Sequence, residues 1–128
     1  MARISIKIGH LEVLADTTEE NPGTVKAVLK NLPIKGTAQR WGKEIYFYVP
    51  FKIPLEKARE ECEEGEIGFW VGNPAIAIFF GKTPVSTSDK PRAYSKCNFF
   101  ARLLPPIDKE ALDAVKEKTE IVIKKQKD

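Results

Sequence analysis

The stretch GEIGFWVGNPAIAIFFG, residues 65–81, decides the fold of this chain. It predicts two strands, Glu66 to Val71 and Ala75 to Phe80, because Gly72-Asn73-Pro74 between them supplies a glycine and a proline that interrupt strand pairing. Alternate residues of a strand share a face, so the second strand presents on its two sides Ile76, Ile78 and Phe80 and, opposite them, Ala75, Ala77 and Phe79. Both faces are apolar, which predicts a strand covered on both sides, in a closed barrel or in a sheet under a helix. Alternation alone leaves open which face points into the core.

The composition is that of a globular protein with a densely charged surface. The chain has 128 residues, 42% hydrophobic and 30% charged, which predicts one domain with a substantial core. The net charge of +3 is small and the charges of both signs are interspersed, so we expect no nucleic-acid partner. Abundant Lys and Glu with little Gln are typical of heat-adapted, often archaeal, proteins. With neither a secretory signal nor an apolar run of membrane-spanning length, we expect a cytoplasmic protein without a membrane partner.

The cysteines and the histidine argue against metal and cofactor chemistry. Cys62 and Cys97 are predicted to be free, buried thiols in a reducing compartment. His10 is the only histidine and follows Gly9 in a predicted turn, so a triad base and a three- or four-ligand metal site are both disfavoured. No glycine-rich phosphate loop is present. We therefore expect no metal and no cofactor.

The rest of the chain adds strands and short helices to the central hairpin. The predicted strands are Ile4 to Ile8, Leu11 to Ala15, Ile34 to Trp41, Glu44 to Val49, Lys96 to Leu104 and Glu120 to Lys124. Helices are predicted after an Asn21 cap, over Leu55 to Gly65, and after an Asp108 cap. Seven or eight short strands with two or three short helices are typical of a mainly β protein built as a closed antiparallel barrel. The acidic run Glu60 to Glu64 is interpreted as a solvated face of the second helix.

Three ordered motifs carry a resemblance to a known family. WGKEIYF at 41–47, GEIGFW at 65–70 and FFGKTPVS at 79–86 resemble small archaeal and bacterial cyclophilin-like proteins of unassigned function. The resemblance covers nearly the whole chain. It implies an eight-stranded cyclophilin-type barrel plugged by helices.

A more distant resemblance connects the chain with the peptidyl-prolyl isomerases. NPGTV at 21–25 is similar to the start of their first helix and NFFAR at 98–102 to a core strand. Arg40 lies near the position of their catalytic arginine, which implies a donor that stabilises the twisted prolyl amide. The Phe-Met-x-Gln-Gly-Gly signature that follows this arginine in the isomerases is missing. The other interpretation of Arg40 is a surface residue stacked on Trp41.

Aromatic residues are the candidates for a binding surface. Phe47 and Phe80 can form an apolar pocket for a proline ring, or fill the barrel as core residues. Trp41 and Trp70 each stand next to a turn, where a ring can stack on a proline or a small ligand, or can cover the end of the barrel.

The polar loop Lys82 to Ser95 is long enough to suggest a role in binding. Thr83 and Ser86 can donate hydrogen bonds to a ligand, and Arg92 can hold a carboxylate or another anion. Local capping of turns is the alternative role of the hydroxyls. The preferred prediction is a monomeric or homodimeric binding module that holds a short peptide or a small molecule in an outer aromatic groove. A weak prolyl isomerase using Arg40 and a structural partner domain are the alternatives.

Overall fold

In a computed structural model, which describes residues 2–126, the chain forms ten antiparallel strands and two helices. The strands are β1 (Arg3–Ile8), β2 (Leu11–Thr17), β3 (Ile34–Thr37), β4 (Gln39–Arg40), β5 (Glu44–Tyr48), β6 (Arg59–Glu61), β7 (Glu66–Trp70), β8 (Ala75–Phe79), β9 (Arg92–Leu103) and β10 (Glu120–Lys125). The helices are α1 (Pro22–Lys30) and α2 (Lys109–Asp113). The predicted mainly β class is confirmed. Neither helix is long and apolar enough to cross a membrane.

The strands form a single hydrogen-bonded sheet with two open ends. Their order is β3-β10-β1-β2-β9-β7-β8-β5-β4, and β6 pairs with β9 beside this path. Within residues 2–126 no ladder joins β3 to β4. The prediction of a closed eight-stranded barrel is therefore wrong both in the number of strands and in closure.

The sheet stays open because the strand predicted over Ile34 to Trp41 is divided at Ala38. The N–H of Ala38 donates to the carbonyl of Thr119 at 2.8 Å, and its carbonyl accepts the N–H of Lys118 at 2.8 Å. On one side of this residue β3 pairs with β10, and on the other β4 pairs with β5. The chain thus passes at Ala38 from one end of the sheet to the other. The backbone N–H and carbonyl of Ala38 are hydrogen-bonded to the turn before β10.

Side-chain packing, without a ladder among residues 2–126, brings β3 close to β5. Gly36 in β3 lies so close to β5 that a Cβ atom would stand 2.4 Å from Cδ2 of Phe47. Phe47 is completely buried, so it has no room to retreat. Close approach of these two strands therefore requires glycine at position 36.

Both faces of the sheet are covered, and the two clusters of buried residues show which side of β8 faces the main core. Ile76, Ile78 and Phe80 belong to the main core, which also contains Val28 of α1 and Leu112 of α2. Residues of the opposite face form a smaller cluster made of Cys62, Ala77, Phe79, Ala93, Cys97 and Phe99. The prediction that this strand is covered on both sides is confirmed.

The start of α1 is fixed by tertiary contacts rather than by a local cap. Asn21 occupies the N-cap position, but its side chain makes no capping bond. Its amide instead donates to the carbonyl of Phe99 at 2.8 Å and accepts the N–H of Lys57 at 2.7 Å. The helix N-terminus is capped by Glu56, whose carboxylate accepts the N–H groups of Gly23 and Thr24 at 3.0 and 2.9 Å. Glu56 thus supplies the anion that a helix N-terminus favours.

The helix predicted over Leu55 to Gly65 does not form. This segment is irregular except for β6, in which Arg59 pairs with Cys97 of β9. Pairing with an existing strand gives hydrogen-bond partners to backbone groups that would have none at the two ends of a short isolated helix. The cap predicted at Asp108 is confirmed, because its carboxylate accepts the N–H of Ala111 at 3.0 Å.

Asn98→Ala is expected to lower the free energy of unfolding by about 3 kcal/mol, because three polar groups would lose a buried partner. Asn98 is fully buried; its amide donates to the Thr24 hydroxyl and the Pro54 carbonyl and accepts the N–H of Glu56, each at 3.0 Å. Urea denaturation measures the effect. The control Asn31→Ala removes one exposed hydrogen bond and should change stability by less than about 1 kcal/mol. Equal effects of the two changes would contradict the prediction.

Candidate functional site

A cavity of about 250 Å³ opens on the face of the sheet opposite the main core. Strand register explains its position, because Ala75 lies between Tyr48 and Trp70, and Ala77 lies opposite Tyr46. Methyl side chains between large rings leave a recess. We call it the aromatic cavity, and its lining residues are Trp41, Glu44, Tyr46, Tyr48, Trp70, Ala75, Ala77, Phe79, Ala93, Tyr94, Ser95 and Cys97.

All the tryptophans and tyrosines of the chain gather at this one place. The sequence contains two Trp and three Tyr, and all five line the aromatic cavity. Tyr94 is 72% exposed and packs edge-on against Trp41 and Trp70, with ring centroids 6.1 and 6.4 Å apart. Tyr46 and Tyr48 also meet edge-on, at 5.8 Å. None of these pairs is stacked face to face, so the rings surround the recess instead of filling it.

Glu44 places a carboxyl group in this aromatic environment. The residue is 8% exposed, and its Oε1 is buried without a hydrogen-bond partner. Burial raises the pKa of Glu44 to about 8, because an ionised carboxylate loses its hydration there. Glu44 is therefore largely protonated at neutral pH when the cavity is empty.

The two thiols near Glu44 are not activated as nucleophiles. Cys62 and Cys97 are free and buried, as predicted. Burial raises the pKa of Cys97 to about 12, and burial together with the Glu66 carboxylate raises that of Cys62. Thiols are nucleophilic as thiolates, so neither group is activated for attack. Among residues 2–126, no three His, Cys, Asp or Glu side chains are grouped so that they could hold a metal ion.

Comparison with known proteins places this architecture in a family. A family model described as Cyclophilin-like matches residues 2–124. The chain belongs to the cyclophilin-like family. It is 35% identical to the hypothetical protein AF2241 from Archaeoglobus fulgidus, whose solution structure it matches with a TM-score of 0.83 over 98% of this chain and 95% of that chain. The family resemblance predicted from the three motifs is confirmed.

A second structural neighbour of this cyclophilin-like protein is much more distant. McbB, solved in complex with tryptophan, matches with a TM-score of 0.78 and 17% identity. The match covers 98% of this chain but 45% of McbB, and at this identity it shows a shared fold alone. A comparison with curated proteins gives no match.

Of the aromatic residues predicted for the site, the two tryptophans line the aromatic cavity and the two phenylalanines do not. Phe47 and Phe80 are buried in the main core, at 0% and 1% exposure. Phe79, the neighbour of Phe80 on the opposite face, lines the cavity instead. Phe47 and Phe80 are therefore core residues and do not form a pocket.

Arg40 lies outside the aromatic cavity of this cyclophilin-like protein and is engaged by the segment around α2. Its guanidinium donates to the carbonyls of Asp113, Val115 and Gly42 at 2.9, 2.7 and 3.0 Å. It also forms an ion pair with the Asp113 carboxylate at 2.9 Å and lies over the Phe80 ring. These contacts attach α2 to the β4–β5 end of the sheet, which is a structural role.

The polar loop before β9 is held by internal contacts. Ser86 accepts the Thr83 N–H at 3.0 Å, and the Thr83 hydroxyl donates to the Arg92 carbonyl. Arg92 pairs with Glu60 at 2.7 Å, and Lys90 pairs with Glu63 at 2.8 Å. The acidic run was predicted to be a solvated helix face, and this prediction is wrong. Glu60 and Glu63 of the run instead form ion pairs with the loop. Thr83, Ser86 and Arg92 lie outside the aromatic cavity.

Sequence reasoning missed Glu44, Tyr46, Tyr48 and Tyr94 as site residues. The signal for three of them is present in β5, where Glu44, Tyr46 and Tyr48 alternate on one face. An acidic residue on the same strand face as two tyrosines indicates a carboxyl group within an aromatic surface. Tyr94 had no comparable signal, since it falls in the segment that was interpreted as a loop.

Proposed function

We propose that this cyclophilin-like protein is a binding module whose aromatic cavity holds one ring system of a small molecule or of a peptide side chain. The convergence of every Trp and Tyr of the chain on one recess supports the proposal more than any other observation. Tyr and Trp offer large, rigid contact surfaces with a polar group at the edge. Exposed aromatic residues that line a concave recess are typical of ligand sites.

The dimensions of the cavity restrict the ligand. A recess of about 250 Å³ lies just below the usual range for sites that take drug-sized molecules. It therefore suits a single ring system, and a longer peptide would enter with one side chain only. McbB offers a precedent within the same fold, because it is solved in complex with tryptophan, whose side chain is one such ring system.

The two tryptophans provide a direct measurement of binding. Because both line the aromatic cavity, all the Trp fluorescence of the protein reports on it. We expect small non-fluorescent phenyl compounds, such as 2-phenylethanol and phenethylamine, to shift or quench this emission in a saturable way. Failure of every such compound to do so at millimolar concentration would overturn the proposed function.

Tyr94→Ala should weaken the binding of these compounds about tenfold, because it removes the ring that packs against both tryptophans at the rim. Tyr94 is mostly exposed, so folding should be unaffected. The dissociation constant from the fluorescence titration is the measurement. Leu55→Ala is the matched control, since Leu55 is 60% exposed and does not line the cavity. An unchanged affinity of the Tyr94 variant would show that the Tyr94 ring does not contribute to the binding site.

Prolyl isomerisation by Arg40 stays a prediction without an observation in its favour. The guanidinium already makes four short hydrogen bonds to protein groups and lies outside the aromatic cavity. Its Nε has no hydrogen-bond partner among residues 2–126 but is buried, so the donors nearer the surface would have to give up their contacts to reach a prolyl nitrogen. We therefore do not propose it as a second function.

A further inference from the structure

We propose that the natural ligand of the aromatic cavity is an aromatic amine in its protonated form, with its ammonium group paired to the carboxylate of Glu44. This inference rests on the proposed function, since it names the class of molecule that the cavity would hold. It starts from Glu44 Oε1, the one buried polar side-chain atom of the cavity lining that has no hydrogen-bond partner among residues 2–126.

The carboxyl group of Glu44 makes neither a hydrogen bond nor an ion pair with any residue between 2 and 126. Buried polar groups in proteins nearly always have a partner, and an unpaired one is costly unless a ligand supplies it. None of the lining residues is Lys, Arg or His. The missing partner is therefore expected to come from outside, and a cation satisfies a carboxylate most strongly.

The rings around Glu44 favour the same kind of ligand. The faces of Trp and Tyr rings attract cations, and the attraction increases where water is excluded. Trp41, Trp70 and the three tyrosines surround the space in front of the carboxyl group. A neutral aromatic molecule would use the rings but leave the carboxyl group unpaired, and an anion would be repelled once Glu44 ionises.

The titratable groups facing Glu44 do not compete with such a cation. They are Tyr46 and Tyr48 on β5 itself, Tyr94 and Cys97 on β9, and Cys62 beside β6. Burial raises the pKa of Tyr46 and of both thiols, so these groups stay uncharged between pH 6 and 8. Within this range Glu44 is the group of the cavity that changes its charge.

Binding of an ammonium ion would therefore release one proton. In the empty cavity Glu44 carries that proton at neutral pH, because burial raises its pKa to about 8. The incoming cation replaces it, so the bound state contains a carboxylate and an ammonium group while the proton goes to the buffer. The affinity for the amine should rise about ninefold from pH 6 to 7 and about fivefold from pH 7 to 8, because the fraction of ionised Glu44 rises by those factors when its pKa is about 8.

The test compares three phenyl compounds that differ in charge: phenethylamine, 2-phenylethanol and 3-phenylpropionate. Calorimetric titration of the wild-type protein at pH 7.5 should show the amine binding at least about tenfold tighter than the alcohol, and the propionate weakest. Repeating the amine titration in buffers of different ionisation enthalpy should show the release of close to one proton. In Glu44→Gln the preference for the amine and its pH dependence should both disappear, while the affinity for the alcohol is retained.

The outcomes separate this inference from the proposed function. If the alcohol binds as tightly as the amine, or more tightly, the cavity holds aromatic rings but the assignment of a cationic ligand is wrong. The same conclusion follows if Glu44→Gln keeps the preference for the amine. If none of the three compounds binds, the proposed function itself fails.

Discussion

Glu44→Gln is expected to stabilise the protein by roughly 4 kcal/mol at pH 9 and to leave its stability nearly unchanged at pH 4. Glutamine has the size and shape of a protonated glutamic acid but cannot ionise. The variant therefore removes the cost of a buried, unpaired charge without opening a cavity. This is the largest effect on stability that the structure predicts for a side chain of the proposed site.

The direction of the effect follows from the pKa of Glu44 in the two states. Burial raises the folded-state pKa to about 8, from 4.5 in the unfolded chain. Below pH 4.5 the carboxyl group is protonated in both states and contributes no penalty. As the pH rises from 4.5 to 8, the unfolded chain loses this proton and the folded protein keeps it, so the wild-type protein becomes progressively less stable than the variant.

Chemical denaturation of both proteins at pH 4, 7 and 9 measures this difference. Glu19→Gln is the matched control, because Glu19 is exposed and has the same carboxyl group at a position where none of the described residues bonds to its side chain. Its stability should follow that of the wild type at every pH. Parallel curves for wild type and Glu44→Gln would show that Glu44 is ionised and solvated at neutral pH, and would remove a central argument for the cationic ligand.

Glu66→Ala is expected to destabilise the protein by about 3 kcal/mol, because it removes a buried carboxylate that accepts charged hydrogen bonds from two arginines and one from a backbone N–H. The Glu66 side chain is only 7% exposed and forms ion pairs with Arg59 at 2.8 Å and Arg102 at 3.0 Å. It also accepts the N–H of Glu63 at 3.1 Å. Removing the carboxylate thus frees donors on three segments at once.

The pH dependence of this network runs opposite to that of Glu44. Burial alone would raise the pKa of Glu66, but hydrogen bonds from Arg59, the Glu63 N–H and Arg102 together lower it below its usual value. A lowered folded-state pKa gives stability that is present above pH 4.5 and is lost as the pH falls below that value. Wild type should therefore lose stability on acidification, and Glu66→Gln should lose less.

The control for this experiment is the nearby pair of Glu64 and Lys109. Both side chains are more than one-third exposed, so Glu64→Ala should cost less than about 1 kcal/mol. Thermal and urea denaturation at pH 7 compare the two variants. Similar losses from Glu64→Ala and Glu66→Ala would contradict the view that burial, rather than the number of ion pairs, decides the effect.

Local patterns in the sequence predicted most of the strands but not how they join. Alternation between apolar and polar residues was sufficient for β1, β2 and β5, and short apolar runs on either side of Gly72-Asn73-Pro74 were sufficient for β7 and β8. The helix expected from Leu55 to Gly65 failed because its apolar spacing is overridden by pairing of Arg59 with β9. Closure of the barrel was predicted wrongly because local patterns did not show that the strand from Ile34 to Trp41 is divided at Ala38, with β3 paired to β10 and β4 paired to β5.

Two of the residues predicted for a ligand site, Trp41 and Trp70, line the aromatic cavity, and ligand binding there stays a prediction. Arg40 was assigned from the resemblance to the isomerases, and Arg92 because a guanidinium in a long polar loop can hold an anion. The structure shows both engaged by acidic or carbonyl groups that are distant in sequence, Arg40 by residues 113 and 115 and Arg92 by Glu60.

By itself the sequence determined the family, the mainly β class and the alternation that puts Ala75 and Ala77 on one face of their strand and Ile76 and Ile78 on the other, because these depend on neighbours along the chain. The tertiary structure alone decided that the face with the alanines points away from the main core, and that Ala75 lies between rings of β5 and β7 and Ala77 opposite a ring of β5. It also decided that Glu44 has a buried oxygen with no hydrogen-bond partner among residues 2–126. The reason is physical. Burial and ion pairing depend on which distant strands are brought together, and the charge of a carboxyl group is set by the medium around it rather than by its position in the chain.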